Sequence, residues 1–253
     1  MTSHPSKTAA ITGGLGDIGS AICRDLAEDG YDLVVIDVLE EKTGVEKTAS
    51  LVAGTPQRAD YYCADQTNQD AVKDILSRHP QLDVVVITAA IVIAQPFLDI
   101  DLSAWEKQIQ VNLTGSFIVA QAAAQQMVAT KHPGHVVFVS SWVSERPWPE
   151  ISAYSVSKAG VNHLMRQMAL ELAALGIRAN AIAPGIVLAG LAKHQLETEP
   201  AYAARVATAI PLGTLQSAED ISQTVRYLAS PAAASMTGTV LTIDGGCSLG
   251  QIT

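Results

Sequence analysis

The chain has 253 residues, of which 48% are hydrophobic, and its formal net charge is −9 at pH 7. This length and apolar content suffice for a large buried core, and the negative charge argues against nucleic-acid binding, which relies on clustered lysine and arginine. No apolar run reaches the roughly 18 residues that a membrane span requires, and the polar start, Met1–Lys7, lacks the apolar centre of a signal peptide. We therefore expect a cytoplasmic protein without a nucleic-acid or membrane partner.

The cysteines and histidines do not form a metal-binding pattern. Cys23, Cys63 and Cys247 lie far apart and form no CxxC pair, which fits reduced thiols in a cytoplasm. His132 and His135 flank a Pro-Gly turn without suitable co-ligands beside them, so solvated loop histidines are favoured over a metal site. We expect no bound metal.

Short apolar segments, many of them β-branched, alternate with longer amphipathic segments. The apolar segments predict strands at Thr8–Thr12, Leu33–Asp37, Tyr61–Asp65, Asp83–Ala90, His135–Ser141, Arg178–Ala183 and Val240–Asp244. The segments between them predict helices at about Ile18–Asp29, Glu40–Leu51, Gln69–Arg78, Trp105–Lys131, Ala153–Leu175 and Ala218–Ala229. Strand and helix in alternation indicate right-handed crossovers. We expect one doubly wound α/β domain over residues 1–253, with a parallel sheet of about seven strands and helices on both faces.

A glycine-rich loop separates the first predicted strand from the first predicted helix. It runs from Gly13 to Gly19 and includes Gly16, Asp17 and Ile18. Glycines permit a tight turn and let a pyrophosphate approach the backbone, and the following helix offers free N–H groups. This context favours a dinucleotide site. A plain strand-to-helix turn is the alternative.

Two acidic residues end the second and third predicted strands. Asp37 can accept hydrogen bonds from both ribose hydroxyls of NAD and would repel the 2′-phosphate of NADP, and no Arg or Lys follows it immediately. A solvated strand end or a helix N-cap is the alternative for Asp37. Asp65 could accept from the adenine amino group or cap the helix that starts near Asn68. The charge of Asp37 favours NAD as the cofactor.

Tyr154 and Lys158 are four residues apart at the start of a long predicted helix, so they lie on one helix face, one turn apart. An ammonium beside a phenol stabilises the phenolate and lowers a phenol pKa that starts near ~10. The phenol then becomes a proton donor or acceptor near neutral pH. Ser141 ends the preceding strand and faces the ligand crevice. A half-buried tyrosine with its hydroxyl in solvent is the alternative.

In chain order, these motifs make the sequence resemble the short-chain dehydrogenase/reductase family over essentially its whole length. The resemblance rests on Thr12–Gly19, Asp37, Asp65, Val111–Gly115, Ser141, Tyr154, Lys158, Asn180–Gly185 and the segment from Gly238 to Gly246. Ser141 precedes Tyr154 by 13 residues, which is the family's spacing. The resemblance implies a Rossmann-type dinucleotide-binding fold.

The resemblance also implies a role for each site residue. Tyr154 is the general acid/base, Lys158 lowers its pKa and hydrogen-bonds the nicotinamide ribose, and Ser141 holds the substrate oxygen. Asn112 lies in a kinked helix and supports a water that links Lys158 to solvent. The residues expected to contact the cofactor are Gly13, Gly16, Asp17, Ile18, Gly19, Asp37, Asp65, Ala89, Tyr154, Lys158, Pro184, Gly185 and Val187.

Three positions depart from the family pattern. Asp17 replaces the middle glycine of the family's loop, where its charge is unhelpful beside a pyrophosphate, although it can cap the helix. Thr88–Ile91 replaces the family's Asn-Asn-Ala-Gly, so we expect the loss of an asparagine that braces the central strand. Ala189 replaces a threonine, so one hydrogen bond to the cofactor is expected to be missing.

The substrate contacts expected from the resemblance are Ser141, Tyr154 and the two tryptophans between them, Trp142 and Trp148. Aromatic and proline walls suit a ring or an apolar chain, whereas Glu145, Arg146 and Glu150 in the same loop suit a polyol or an acid. Packing of the loop is the alternative role of the tryptophans. The segment Leu188–Thr214 interrupts the strand–helix alternation and is expected to be a substrate lid, with a surface helical hairpin as the alternative.

The sequence therefore predicts an enzyme, an NAD-dependent oxidoreductase that transfers a hydride between NAD(H) and a secondary alcohol or ketone. A sugar, a polyol, a hydroxy acid and a cyclic alcohol all remain open as substrates. The alternatives are a catalytically idle NAD-binding sensor or scaffold and an NADPH-type ketone reductase, against which Asp37 argues. The family resemblance implies a homotetramer.

Overall fold

The structure is a computed structural model that describes residues 7–250. The residues before Lys7, which the sequence predicts to contain no signal peptide, lie outside the described range, as do the last three. Across residues 7–250, no helix is both long enough and apolar enough to span a bilayer.

Seven parallel strands form one sheet with the order β3-β2-β1-β4-β5-β6-β7. The strands are β1 Lys7–Thr12, β2 Tyr31–Asp37, β3 Ala59–Cys63, β4 Val84–Ile87, β5 His135–Val139, β6 Arg178–Pro184 and β7 Val240–Ile243. The predicted α/β fold with a parallel sheet is confirmed. Asp65, Ala90 and Ser141, however, lie beyond the ends of their strands rather than at them. Their chain segments have left the sheet and turn over its carboxyl edge.

Nine α-helices of eight or more residues are present in the described range. They are α1 Asp17–Glu28, α2 Glu41–Leu51, α3 Gln69–Ser77, α4 Leu102–Ile109, α5 Gly115–Thr130, α6 Ser152–Leu172, α7 Gly190–Thr198, α8 Pro200–Ala209 and α9 Ala218–Ala229. Two buried apolar clusters join several of these helices to the sheet. One includes Val72, Val119 and Met165 of α3, α5 and α6, and the other includes Ile22 and Val225 of α1 and α9. The sheet is therefore covered on both faces, which explains why its strands are apolar nearly throughout.

The helix predicted over Trp105–Lys131 is wrong as a single element. A π-helical turn at Gln110–Thr114 separates α4 from α5. Asn112 is fully buried in this turn, where its Oδ1 accepts the Ile91 N–H and its Nδ2 donates to the Ile91 carbonyl, both at 2.8 Å. A π-turn widens the helix by one residue and is frequent at functional sites. Here it coincides with the asparagine that pairs with the loop after β4, and the implied interruption of the helix at Asn112 is present.

Candidate active site

A cavity of about 770 Å³ lies along the carboxyl ends of the strands, where open α/β sheets bind ligands. Among its lining residues are all the sequence-predicted site residues except Asn112: Gly13, Gly16, Asp17, Ile18, Gly19, Asp37, Asp65, Ala89, Ser141, Trp142, Trp148, Tyr154, Lys158, Pro184, Gly185 and Val187. The fold thus brings together residues that are up to 174 positions apart in the sequence, from Gly13 to Val187. Asn112 is buried and does not line the cavity.

The glycine loop packs too closely to accept a side chain at Gly13 or at Gly19. Gly13 has φ +64°, and a Cβ added there would lie 2.8 Å from Ala89 N and Cα. A Cβ on Gly19 would lie 2.1 Å from Gly13 O. Gly16 is the N-cap of α1 and makes no side-chain cap, so the first N–H groups of α1 are available to a ligand. The tight turn that these glycines permit, together with the free N–H groups of α1, fits a dinucleotide phosphate.

Asp17 does not cap α1, although the sequence allowed that role. It is the first residue of the helix, and its Oδ2 accepts the N–H of Gly190 at 2.9 Å. Gly190 begins α7 with φ +50°. Asp17 therefore links the glycine loop to the segment that contains α7 and α8, and it places a carboxylate in the wall of the cavity.

Asp37 and Asp65, the two other acidic residues that the sequence places near the cofactor, have different surroundings. Asp37 Oδ2 accepts the N–H of Leu15 at 3.0 Å, which fixes the carboxylate beside the glycine loop, and Oδ1 accepts the N–H of Val38 at 2.8 Å. Asp65 is exposed and accepts the N–H of Thr67 at 2.8 Å. The cap of α3 is Asn68, whose side chain accepts from Ala71 N, so the capping role considered for Asp65 is wrong.

The asparagine that braces the central strand in the family pattern is absent as expected, but Thr88 ties this strand to its neighbour. The hydroxyl of Thr88 donates to Thr12 O at 2.7 Å and approaches Gly13 O at 3.3 Å, so Thr88 ties β4 to β1 and to the glycine loop. The short side chain reaches because β1 and β4 are neighbours in the sheet.

Gln66 is a buried residue that sequence reasoning missed. Its Oε1 accepts from the Thr12 hydroxyl at 3.0 Å, and its Nε2 donates to Ala89 O and Val111 O, both at 2.9 Å. A Cβ on Gly115 would lie 2.8 Å from Gln66 Cγ, so the glycine makes room for this side chain. The sequence signal for Gln66 was weak, because a single glutamine after a strand is equally typical of an ordinary loop.

Tyr154 and Lys158 lie one turn apart near the start of α6. Lys158 is buried, its Nζ is 5.5 Å from the Tyr154 ring centroid, and it donates to Val139 O at 2.8 Å. Ser141 follows β5, is buried, and lines the cavity together with Tyr154. The predicted constellation is therefore assembled at one point of the cavity.

Asn112 supports this constellation from behind. In addition to its two bonds with Ile91, its Nδ2 donates to the Ser157 hydroxyl at 3.2 Å. Ser157 in turn donates to Tyr154 O at 2.6 Å. Asn112 thus joins the loop after β4 to the turn of α6 that presents Tyr154 and Lys158. Its implied role as the holder of a water stays a prediction.

The pKa values do not follow the sequence-based expectation that Lys158 lowers the pKa of Tyr154. Burial raises the pKa of Tyr154 to about 12, and the neighbouring Ser141 hydroxyl offsets only part of this rise. Burial also lowers the pKa of Lys158 to about 8. An ion loses hydration inside a protein, so desolvation favours the neutral form of both groups.

The end of β6 completes the floor of the cavity. A Cβ on Gly185 would lie 2.4 Å from Gln216 Oε1 and 2.6 Å from Asp244 Cα, so only glycine fits this close approach. Val187 pairs with Gln216 in an isolated β-bridge, and Ala189 precedes α7 without a cap hydrogen bond from its side chain. These contacts fix the backbone from which the 188–214 segment departs.

The two tryptophans contact each other and a third aromatic ring. Trp142 and Trp148 pack edge-to-face with ring centroids 5.3 Å apart, and Trp148 packs against Tyr202 of α8 at 6.5 Å. All three line the cavity. Sequence reasoning missed Tyr202, because nothing in the helical pattern of 188–214 distinguishes it from a core residue.

No group of three or more His, Cys, Asp or Glu residues within 7–250 is arranged to hold a metal ion. Glu145 and Arg146, which the sequence offered as polar substrate contacts, do not line the cavity. Arg146 instead donates to Ser248 O at 2.5 Å and to Leu249 O at 3.3 Å.

Comparisons with known proteins agree with this architecture. A sequence-family model described as enoyl-(acyl carrier protein) reductase matches residues 14–248. The chain is 35% identical over 249 residues to cis-4-hydroxycyclohexanecarboxylate dehydrogenase of Sinomonas cyclohexanicum, covering 95% of this chain and 96% of that protein. It is 34% identical over 244 residues to L-rhamnose 1-dehydrogenase (NAD(P)(+)) of a Sphingomonas species, covering 95% of each.

A solved structure is also similar. A dehydrogenase structure from Agrobacterium tumefaciens with bound NADP superimposes with a TM-score of 0.88 at 29% identity, covering 95% of this chain and 96% of that chain. The relatives thus include proteins described with NAD(P) and with NADP. Together with the fold and the Tyr154–Lys158 site, these similarities show that the chain belongs to the short-chain dehydrogenase/reductase family, whose members are oxidoreductases of alcohol and ketone groups with an NAD(P) cofactor.

Proposed function

We propose that the protein transfers a hydride between NAD(H) and a secondary alcohol or ketone, with Tyr154 as the general acid/base. The observation that supports this most is the meeting of Tyr154, Ser141 and Lys158 in the same cavity as the glycine loop. A bound nicotinamide supplies the hydride acceptor or donor. The protein's own residues handle the proton and the charge on the substrate oxygen.

In this proposal, Ser141 and Tyr154 hydrogen-bond the substrate oxygen. During oxidation the hydroxyl proton passes to Tyr154 Oη, and during reduction Tyr154 returns it to the carbonyl oxygen. Lys158 provides the positive charge that favours the phenolate as the proton leaves. Asn112 acts through Ser157 and keeps this turn of α6 in place.

The cofactor preference proposed here is NAD, because the Asp37 carboxylate is fixed beside the glycine loop by Leu15 N. A 2′-phosphate at that position would meet a negative charge. An NADPH-type reductase stays the second candidate, because Lys47 lines the same cavity and is the kind of cation that a phosphate binds. We further propose that α7 and α8 form a lid, since Leu191, Gln195 and Tyr202 line the cavity.

Substrates remain open at this level among cyclic alcohols, hydroxy acids, sugars and polyols. The relatives are described with a hydroxycyclohexanecarboxylate and with L-rhamnose. They therefore support a substrate that contains a ring, but they differ in the functional groups on that ring. A homotetramer and a cytoplasmic location are part of the proposal and await measurement.

The test is a spectrophotometric screen for NADH formation with a panel of secondary alcohols. The wild-type protein is expected to turn over at least one of them, and Tyr154→Phe is expected to lose about 10²- to 10⁴-fold in kcat, the usual contribution of a positioned acid/base. Binding of NAD by Tyr154→Phe, measured by calorimetry, serves as the control for folding. Binding of NAD without turnover of any alcohol or ketone would instead favour the idle sensor.

A further inference from the structure

The two ends of the cavity differ in the chemistry of their walls. The end beside Tyr154 is formed by the aromatic cluster of Trp142, Trp148 and Tyr202, which comes from the turn after β5, the loop before α6, and α8. Trp142 and Tyr202 are buried, at 7% and 8% exposure, whereas Trp148 is only partly buried. Trp148 therefore has the largest aromatic surface available to a ligand.

The rest of this end is mainly apolar. Val92 and Ala94 follow β4, Ile151 precedes α6, and Ile186 follows β6, and all four line the cavity. Gln195 is the polar side chain that α7 contributes to the lining, and its amide already donates to Glu199 at 3.3 Å. A substrate with several hydroxyl groups would leave most of them without partners once Ser141 and Tyr154 hold the reacting oxygen.

The charged residue that lines the cavity beside the aromatic cluster is acidic. Glu150 lines the cavity, and its carboxylate lies 3.8 Å from Arg205. Arg205 does not line the cavity; it stacks on the outer side of the aromatic cluster, 5.5 Å from the Trp148 ring and 5.9 Å from the Tyr202 ring. Arg146 is bound to the carbonyls of Ser248 and Leu249. A carboxylate placed beside Trp148 would therefore meet the negative charge of Glu150. The partner of Glu150, Arg205, lies outside the lining, and the cations of the lining other than Lys158 are Lys107 of α4 and Lys47.

We infer that the substrate is a neutral ring: a secondary alcohol on an alicyclic or aromatic-fused skeleton, or the matching ketone, without a carboxylate and without further hydroxyls. This inference rests on the proposed function and removes hydroxy acids, sugars and polyols from its range. Trp148 is the residue that recognises the ring, and Glu150 is the residue that rejects anions. A flat or puckered ring matches aromatic walls because contact between them removes the apolar surface of both from water.

The experiment compares four alcohols with the wild-type holoenzyme: 4-methylcyclohexanol, 4-hydroxycyclohexanecarboxylate, myo-inositol and 2-butanol. The first three share a six-membered ring, and the fourth is acyclic. We expect kcat/KM for 4-methylcyclohexanol to exceed that for the carboxylate and for inositol by at least about 100-fold, because unpaired polar groups are penalised strongly in an apolar site. A preference for the carboxylate or for inositol overturns the inference while the proposed function stands. Absence of turnover on all four and on their ketones, with NAD bound, counts against the proposed function and the inference together.

Two pairs of variants assign the roles. Trp148→Ala is expected to raise KM for 4-methylcyclohexanol about 10-fold while KM for 2-butanol changes less than about 3-fold, and Trp148→Phe restores part of the loss. Glu150→Lys is expected to raise the ratio of kcat/KM for the carboxylate to that for 4-methylcyclohexanol about 10-fold. Glu145→Lys makes the same charge change in the same loop away from the cavity and is the matched control. Equal effects of the two lysine variants, or equal effects of Trp148→Ala on both alcohols, would overturn these assignments.

Discussion

The dinucleotide end and the substrate end of the cavity are built in different ways. The dinucleotide end is formed mainly by backbone. It consists of glycines at which an added Cβ would collide with the backbone, the first N–H groups of α1, and the Asp37 carboxylate fixed by a backbone N–H. The substrate end uses side chains from three distant segments, held by ring packing between Trp142, Trp148 and Tyr202. The first end depends on the positions of strands and helix termini, whereas the second depends on side-chain identity.

This difference teaches where the two kinds of specificity reside. Backbone groups at the ends of β1, β2 and β6 are positioned by the sheet, so they suit a ligand that is the same in every turnover. Side chains on a loop and on α8 can be exchanged without disturbing the sheet. Substitutions at the first end should therefore affect folding and cofactor binding, and substitutions at the second end should change substrate choice.

The largest effect is expected from Gly19→Ala. The new Cβ would lie 2.1 Å from Gly13 O and 2.8 Å from Gly14 Cα, so the backbone of the loop must move. We expect loss of measurable NAD binding and a stability loss of about 3 kcal/mol, at the upper end of overpacking effects, seen as a lower Tm. Gly16→Ala is the matched control for stability, because its Cβ would meet nothing closer than 3.5 Å. Equal Tm values for both variants would contradict the steric account.

A smaller effect is expected from Asp37→Asn. The amide oxygen can still accept from Leu15 N, while the charge is removed. We expect the ratio of kcat/KM for NADP to that for NAD to rise about 10- to 100-fold, as removal of one close charge implies. Asp65→Asn, at the same end of the cavity, is the comparison and should leave this ratio unchanged. No change in Asp37→Asn, together with a loss of NADP use in Lys47→Ala, would favour the NADPH-type reductase.

The smallest effect is expected from Asp17→Asn. This variant keeps an acceptor for Gly190 N but takes a negative charge out of the wall of the cavity. We expect the Kd for NAD to fall about 3- to 10-fold, because a carboxylate near a pyrophosphate opposes binding. Asp17→Gly removes the link to α7 as well and should make the 188–214 segment more sensitive to proteolysis. An unchanged Kd in Asp17→Asn would mean that the carboxylate is too far from the phosphates to matter.

Much of the dinucleotide end could be predicted from the sequence because its signals are local. The glycine loop directly follows an apolar strand and Asp37 is the last residue of another, and a strand end fixes where the next residues lie. The Asp17–Gly190 hydrogen bond could not be predicted in this way, since it joins residues 173 positions apart. The brace by Thr88 was missed because the family pattern drew attention to a lost amide, while a hydroxyl reaches the same neighbouring strand.

The substrate end was less predictable because it depends on tertiary packing. Trp142 and Trp148 were expected near Tyr154, but Tyr202 comes from a helix with no distinguishing pattern. The sequence left Glu145, Arg146 and Glu150 as equal polar candidates, and only the fold separates them. The interruption of the helix at Gln110–Thr114 likewise leaves no trace in periodicity, since one extra residue per turn does not change the residue types required.

The central claim is that Tyr154 moves the proton with the help of Lys158, and the pH dependence of kcat/KM for alcohol oxidation tests it most directly. Burial places the pKa of Tyr154 at about 12 and that of Lys158 at about 8. Oxidation requires the phenolate form of Tyr154, which accepts the proton of the alcohol, so its rate should rise with pH. Ketone reduction requires the protonated phenol, so its rate should fall with pH. Measured at saturating NAD, Lys158→Met should lose kcat/KM for oxidation mainly below about pH 8, where the wild-type Lys158 carries the positive charge that favours the phenolate. Identical pH profiles for the wild type and Lys158→Met would contradict the account.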